Sequence, residues 1–519
     1  MFVGDLLKQH AHLKPDQEAL VFKDRRITYR AYDEQSDMVA QGLLDLKTVK
    51  GDRVGIYMSS CPEFLFIYMA CAKIGAVAVP VSWRFTPQEI RFILEDAGIS
   101  CLLMSSGFEG QDFVHTLAQV RADLPGLKHV IMRDEAAEAD GLIPYRELLK
   151  EPSEALQTAR AAFVPDDSVL FLYTSGTTGV PKAAMLSHRN LVSYARGMLK
   201  SSGCVEGDTV LLNVPLNHVG GAVMAVMACL SLGNKLVLMD AFNPEETLKV
   251  IMDEKVKVIG QVPAQYILEL LNPAVDKYDL SSVKIPIVSG QACPSDLITR
   301  IKERMGILPV NAYGLTEVSG AITFTSPEQG IEILKTTVGK PMDEVELAIM
   351  DEHGRILPAG SVGEIAVRGG PVMSGYWNRP DENAKVFDTQ GFLHTGDMGR
   401  LDEDGNLIMV ARKKEMYIRG GENVYPPEVE EALMQHPGVF LAAVVGRPDP
   451  VMGEVGRAYI IPAPGVKPAA EEIQEFLKQR LARFKIPTDV IFVDQLPLTP
   501  LGKVKKLELY RQIAQEFGK

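Results

Sequence analysis

Cysteine is sparse and unpatterned in this 519-residue chain: Cys61, Cys71, Cys101, Cys204, Cys229 and Cys293 show no Cys-x-x-Cys or Cys/His spacing. That usage argues against both a structural zinc site and a disulfide framework, and it fits a reducing, cytoplasmic setting. Basic charge is also in deficit. A formal net charge of −13 opposes general attraction to nucleic-acid phosphates and anionic lipid, so no nucleic-acid partner is expected. The segment Met1-Phe2-Val3-Gly4-Asp5 has no basic stretch followed by an apolar run, and no secretory signal is read there. Residues 209–234 lack charge over a membrane-spanning length, yet they hold Asn213, Pro215, Asn217, His218, Gly220, Gly221 and Gly233. They are read as buried strand, loop and helix, with no transmembrane segment.

What is present is an ordinary globular composition, 46% hydrophobic and 23% charged with both signs interspersed. The length exceeds what one core usually supports, so two or three packed units are expected; a homodimer is compatible with the sequence. A helix-like segment at 32–46 and apolar runs at 54–58 and 76–81 begin an α/β alternation. It continues through runs at 210–214, 235–239, 258–261, 285–289 and 309–311, mostly separated by helix-length segments, which predicts doubly wound sheets. After about residue 335 the runs shorten (346–350, 364–367, 407–410) and are joined by glycine turns, which predicts a small β-rich subdomain. The charged segment Arg412-Lys413-Lys414-Glu415 then precedes a helix at 427–435, a strand at 439–445, a helix at 470–483 and a strand at 490–493. The expected division is a large domain over 1–413 and a small α+β domain over 414–519.

The most informative segment follows the apolar run 169–172: Tyr173-Thr174-Ser175-Gly176-Thr177-Thr178-Gly179-Val180-Pro181-Lys182. Its glycines permit close backbone approach, its hydroxyls and N–H groups can donate to phosphate oxygens, and Lys182 adds a cation. It lacks the Walker A spacing and does not open directly into a helix. A polyphosphate-holding loop is the reading, against a plain polar surface loop.

This segment resembles the signature of the adenylate-forming superfamily of acyl-CoA synthetases, luciferases and peptide-synthetase adenylation domains. Further elements stand in the family's order: Asn311-Ala312-Tyr313-Gly314-Leu315-Thr316-Glu317, Thr395-Gly396-Asp397, Arg412-Lys413-Lys414, and Pro497-Leu498-Thr499-Pro500-Leu501-Gly502-Lys503. The resemblance covers nearly the whole chain and implies ATP, Mg²⁺ and CoA as co-reactants. Thr174, Ser175, Gly176, Thr177, Thr178 and Lys182 would hold phosphates. The flat ring of Tyr313 could stack on adenine, although a core tyrosine is the plain alternative. Thr316 would donate to phosphate and Glu317 would ligate Mg²⁺. Asp397 could accept both ribose hydroxyls, its plain alternative being a turn aspartate, which the order and spacing to Arg412 in the family pattern disfavour. The resemblance also implies that the small domain over 414–519 is mobile, with Lys414 as its hinge. The resemblance singles out Lys503 from the basic cluster that includes Lys505 and Lys506, as the ammonium that stabilises attack of the carboxylate on the α-phosphate.

Arg419-Gly420-Gly421-Glu422-Asn423 resembles the Gly-Gly-Glu-Asn element of CoA ligases and luciferases, so Gly420, Gly421 and Glu422 would border CoA; a turn before the helix is compatible with that role. Pro215-Leu216-Asn217-His218-Val219-Gly220-Gly221 resembles the segment whose histidine borders the acyl and thiol channel, with Val219, Gly220 and Ala222 along the acyl wall. Ser289-Gly290-Gln291-Ala292-Cys293 resembles the turn beside adenine and departs from the common pattern at Gln291 and Cys293. Members restricted to acetate-like acids carry tryptophan at the position of Gly314, which implies an acid larger than propionate, either medium-to-long alkyl or cyclic, and a selective block by tryptophan there. The expected activity is an AMP-forming carboxylate–CoA ligase. A fatty acyl-AMP ligase serving a carrier protein and a luciferase-like oxygenase are the alternatives.

Overall fold

A computed structural model describes residues 1–134, 141–174, 180–291, 293–420, 422–498 and 504–517. Packing divides the chain into two compact units, Met1–Glu346 with Arg368–Leu393, and Leu347–Val367 with His394–Lys519.

In the first unit the short apolar runs become strands of two large sheets. A nine-stranded sheet runs Lys340–Pro341, Gly320–Phe324, Val310–Leu315, Ile285–Val288, Val258–Gln261, Thr209–Leu212, Lys235–Leu238, Glu18–Phe22 and Arg25–Thr28. Its central pairs are parallel, and both edges are antiparallel hairpins. Leu211, Val237 and Ile259 point from these strands onto Leu248, Ile251, Tyr266, Leu297 and Ile301 of the covering helices. Each such buried side chain contributes about 1.5–3 kcal/mol by leaving water. A seven-stranded sheet runs Lys182–Ser187, Ser168–Thr174, Val77–Pro80, Arg53–Tyr57, Cys101–Met104, His129–Met132 and Ile143–Pro144.

The uncharged stretch resolves into strand Thr209–Leu212, a loop, a π-helical turn Gly220–Ala225 and helix Val226–Leu232. Among the described residues no helix is long and apolar enough to cross a membrane.

In the second unit, strands Val345–Met350, Gly363–Gly369, Leu393–Leu401 and Leu407–Arg412 form the small sheet expected from the short runs, its first three strands straddling the division between the units. A five-stranded sheet follows, built from Tyr417–Arg419, Glu422–Val424, Val439–Asp449, Gly453–Pro462 and Asp489–Phe492. Period-two alternation separates its faces: Val444 joins Val429, Leu433, Ile473 and Leu477, whereas Ala443 and Val445 join Leu509 and Ile513 of helix Lys506–Phe517. The helix expected over 470–483 ends at Lys478. Leu481 and Phe484 reach the same core from the following turn and a 3₁₀ segment, so no further helical face is needed.

Strand Val310–Leu315 is longer than its apolar run suggested, because it pairs antiparallel with Gly320–Phe324 and so carries Tyr313 and Gly314 inside the ladder.

Candidate active site

Neighbouring parallel strands place several sequence motifs side by side. Thr209–Leu212, Val258–Gln261, Ile285–Val288 and Val310–Leu315 are consecutive in the nine-stranded sheet, in register through Leu211↔Ile259, Gln261↔Val288 and Val288↔Asn311. Their carboxyl ends therefore lie along one edge, which is where ligands bind in open α/β sheets. The His218 loop, the Gly290-Gln291 turn and the Thr316-Glu317 turn each leave from one of these ends. Gly290 has φ +83°, the left-handed conformation that glycine adopts at low cost, and a Cβ added there would lie 3.3 Å from Val262 Cγ1.

Strand Ser168–Thr174 meets this edge through a side chain. Thr174 Oγ1 donates to Glu317 Oε1 at 3.4 Å, and the Tyr376 hydroxyl donates to the same oxygen at 2.8 Å. Burial, reinforced by the Glu317 charge, holds the Tyr376 phenol well above its ordinary pKa, so it remains a donor. Lys182 begins the adjacent strand, is buried, lies 5.3 Å over the Tyr376 ring and pairs with Glu382. Hydrogen bonds from Lys182 and Lys385 push the Glu382 carboxyl down to about 2. A phosphate would therefore compete with Glu382 for the Lys182 charge.

Capping chemistry sets this arrangement. Ser187 and Asn190 cap helix His188–Ser202 reciprocally, and Asn190 Nδ2 also donates to Gly370 O at 2.8 Å and Val372 O at 2.7 Å. The Met373 N–H then donates to Glu317 O at 2.8 Å, which leads the chain to Tyr376. Tyr376 and Glu382 were missed by sequence reasoning. The signal for Tyr376 was the string Gly375-Tyr376-Trp377-Asn378-Arg379-Pro380, an aromatic pair between turn residues, whereas Glu382 carried none.

His218 is held by a tight turn: its Nδ1 accepts the Gly220 N–H at 3.2 Å, and its carbonyl accepts from Gly221 N at 3.0 Å and Ala222 N at 2.9 Å. Accepting at Nδ1 places the ring proton of a neutral imidazole on Nε2. Val219 is buried just before the following π-helical turn, a feature frequent at functional sites, and Ala222 is buried within it. A Cβ added at Gly220 would meet only ordinary contacts, the nearest being His218 Nδ1 at 3.5 Å.

Gly314 corrects one expectation. An added Cβ there would lie 1.9 Å from Gly320 O and 2.5 Å from Ala321 Cα, both backbone atoms of the paired strand. Tryptophan at this position would strike the sheet before narrowing any pocket. Tyr313 in the same strand retains 8% exposure.

In the second unit, Asp397 and Arg412 are cross-strand partners, with Arg412 Nε 3.5 Å from Asp397 Oδ1. Asp397 lies within strand Leu393–Leu401 rather than in the turn its sequence suggested, because it pairs with Arg412 in the ladder. Its N–H donates to Thr395 Oγ1 at 3.1 Å, and the Gly396 N–H donates to Glu364 Oε1 at 3.1 Å. Burial disfavours the Glu364 charge, but Lys413 at 2.8 Å and His394 at 3.2 Å outweigh it and lower the carboxyl pKa. Lys414 lies in the turn after strand Leu407–Arg412, where the Glu415 N–H donates to Arg412 O at 3.0 Å. Gly420, at φ +59°, turns the chain between strands Tyr417–Arg419 and Glu422–Val424, and its N–H donates to Met452 O at 2.8 Å; Glu422 is exposed. Ser175, Gly176, Thr177, Thr178, Ala292, Gly421 and Lys503 lie outside the described residues.

Residues 7–377 match the family described as AMP-binding enzyme, and residues 428–503 match the AMP-binding enzyme C-terminal domain. The chain is 36% identical over 499 residues to a methyl-dioxo-octahydro-indenyl-propanoyl:CoA ligase of Mycobacterium tuberculosis, across 95% of this chain and 96% of the relative. It is 33% identical over 515 residues to a feruloyl-CoA synthase of Amycolatopsis sp, across 98% and 99% respectively. The solved structure of o-succinylbenzoate coenzyme A synthetase from Bacillus subtilis, in complex with ATP and magnesium ion, is similar with a TM-score of 0.82 and 30% identity, over 97% of this chain and 99% of that one.

Proposed function

The chain belongs to the AMP-binding enzyme family as an AMP-forming carboxylate–CoA ligase, and we propose that its acid is larger than propionate, either medium-to-long alkyl or cyclic. The observation that carries this reading is similarity over nearly the whole chain to ligases of a fused-ring propanoate and of ferulate. The small residues Gly220 and Ala222 beside His218 support it.

In the first half-reaction a carboxylate oxygen of the acid attacks the α-phosphorus of ATP, pyrophosphate leaves, and the acid becomes an acyl-adenylate. In the second, the CoA sulfur attacks the acyl carbonyl and AMP leaves. Thr174, Ser175, Gly176, Thr177, Thr178 and Lys182 are assigned to the phosphates, Thr316 to the α-phosphate, and Tyr313, Gly290, Gln291 and Ala292 to adenine. Asp397 is assigned to ribose with Arg412 at its side, and Lys503 to the first transition state. His218 is assigned to the acyl and thiol channel.

Glu317 fits a hard cation, because it presents a carboxylate beside the Thr174 hydroxyl. Among the described residues no cluster of three or more His, Cys, Asp and Glu could form a metal cage. Glu317 would hold Mg²⁺, which would supply positive charge against the nucleotide phosphates. Lys414 is assigned as the pivot between the two half-reactions, with Gly420, Gly421 and Glu422 serving CoA in the second.

Gly220→Leu tests the acyl wall. The Cβ is tolerated at this position, so the added branches should lower kcat/KM for dodecanoate and benzoate at least tenfold, while ATP affinity and thermal stability hold. The loss of an extended apolar contact, at about 0.8 kcal/mol per buried methylene, suffices for that effect. Wild-type preference for acetate over all larger acids, read by AMP formation, would refute the acid class. Gly421→Leu tests the CoA assignment. A branched side chain beside the thin pantetheine arm should depress thioester formation roughly 100-fold and spare acid-dependent pyrophosphate exchange. Collapse of both activities in a folded variant would contradict it.

A further inference from the structure

The described residues on either side of positions 499–503 pair with one another. Leu498 and Val504 form an antiparallel bridge, and the Lys505 N–H donates to Pro497 O at 2.7 Å. The last helix begins at Lys506, whose side chain turns inward. Its Nζ lies 2.8 Å from Glu415 Oε2 and 2.8 Å from Glu430 Oε1, with the side chain only 13% exposed. Burial disfavours the ammonium, but the Glu430 and Glu415 charges outweigh it and hold the Lys506 pKa above the ordinary lysine value.

Both carboxylates are themselves fixed. Glu415 follows Lys414 in the turn after strand Leu407–Arg412, and its carbonyl accepts from the Tyr510 hydroxyl at 3.5 Å. Glu430, on helix Pro426–Met434, also accepts the Val444 N–H at 2.7 Å. An exposed lysine pair would hold little in place, whereas an ammonium enclosed by two carboxylates fixes the helix start to the turn beside Lys414, and its removal leaves two acids without their cation.

We infer that Lys506 is a positioning residue for the adenylation half-reaction: it ties the start of the last helix to the Lys414–Glu415 turn and acts through Lys503, three positions before it in the sequence. This rests on the assignment of Lys503 made above. Lys506→Met and Lys506→Arg should be made alone and in a Lys503→Ala background, and read by acid-dependent pyrophosphate exchange and by thioester formation from supplied acyl-adenylate.

Lys506→Met is expected to lower adenylation kcat roughly 100-fold, the effect of a small misplacement at a reacting centre, with KM for ATP and acid nearly unchanged. Thioester formation is expected to hold, and Lys506→Arg to restore most of the rate. In the Lys503→Ala background Lys506→Met should add no further loss, because both act through one ammonium. Glu415→Gln, which keeps Glu430 as a partner for Lys506, should give a smaller loss confined to the same half-reaction, and it serves if Lys506→Met does not fold. Equal loss in both half-reactions, or further loss on top of Lys503→Ala, would overturn the inference. Full adenylation by Lys503→Ala alone would instead remove the Lys503 assignment.

Discussion

Lys503→Ala is expected to lower acid-dependent pyrophosphate exchange by roughly 10²–10³-fold, the loss typical of removing one preorganised electrostatic contact to a transition state. Negative charge gathers along the in-line axis when the carboxylate meets the α-phosphate, and a positioned ammonium is worth most there. Thioester formation from supplied acyl-adenylate releases AMP without that accumulation, so it should change by no more than a few-fold. Lys503→Arg should recover little, since the wider guanidinium fork cannot replace a compact point charge at one oxygen. The check is both half-reactions measured separately on each variant, and equal losses would contradict the assigned role.

Gly314→Trp carries the other large effect, and the structure gives it a different character from the one the resemblance suggested. The first atom of any side chain would overlap the backbone of strand Gly320–Phe324, 1.9 Å from Gly320 O. That strand cannot simply retreat: Gly320 is itself packed against Tyr194, whose hydroxyl would lie 2.7 Å from a Cβ added at Gly320. Overpacking of this kind costs about 1–3 kcal/mol even for small additions. The displaced strand also follows the Thr316–Val318 turn that carries Glu317. The expected result is a lowered Tm and loss of turnover on acetate, hexanoate, dodecanoate and benzoate alike, with Gly314→Ala showing the same pattern more weakly. A tryptophan variant with wild-type Tm and intact acetate turnover, defective only on larger acids, would restore the simple pocket-floor explanation.

Gly314 also shows where sequence reasoning stops. The strands Val258–Gln261 and Ile285–Val288 were legible because parallel strands buried on both faces read as short unbroken apolar runs. The Thr316-Glu317 and Thr395-Gly396-Asp397 elements were legible because their residue types carry chemistry at short spacing. Pairing between distant segments leaves no such local mark. Nothing near Gly314 announces that Ala321 lies opposite it, and nothing near Lys182 announces Glu382, 200 positions away, or the Tyr376 ring beneath its ammonium. Likewise Asp397 and Arg412 were read as separate elements, whereas antiparallel register makes them neighbours. Lys506 looked like part of a solvated basic patch until two carboxylates from separate elements were found around it.

The central claim, one acid carried through an adenylate to CoA, is tested most directly by product balance on the isolated wild-type protein. With ATP, Mg²⁺ and an acid such as benzoate or dodecanoate but no CoA, acid-dependent exchange of labelled pyrophosphate into ATP is predicted. Addition of CoA should then yield acyl-CoA, AMP and pyrophosphate in equal amounts. Formation of ADP and phosphate, or an adenylate that reacts with a carrier protein or oxygen but not with CoA, would contradict it.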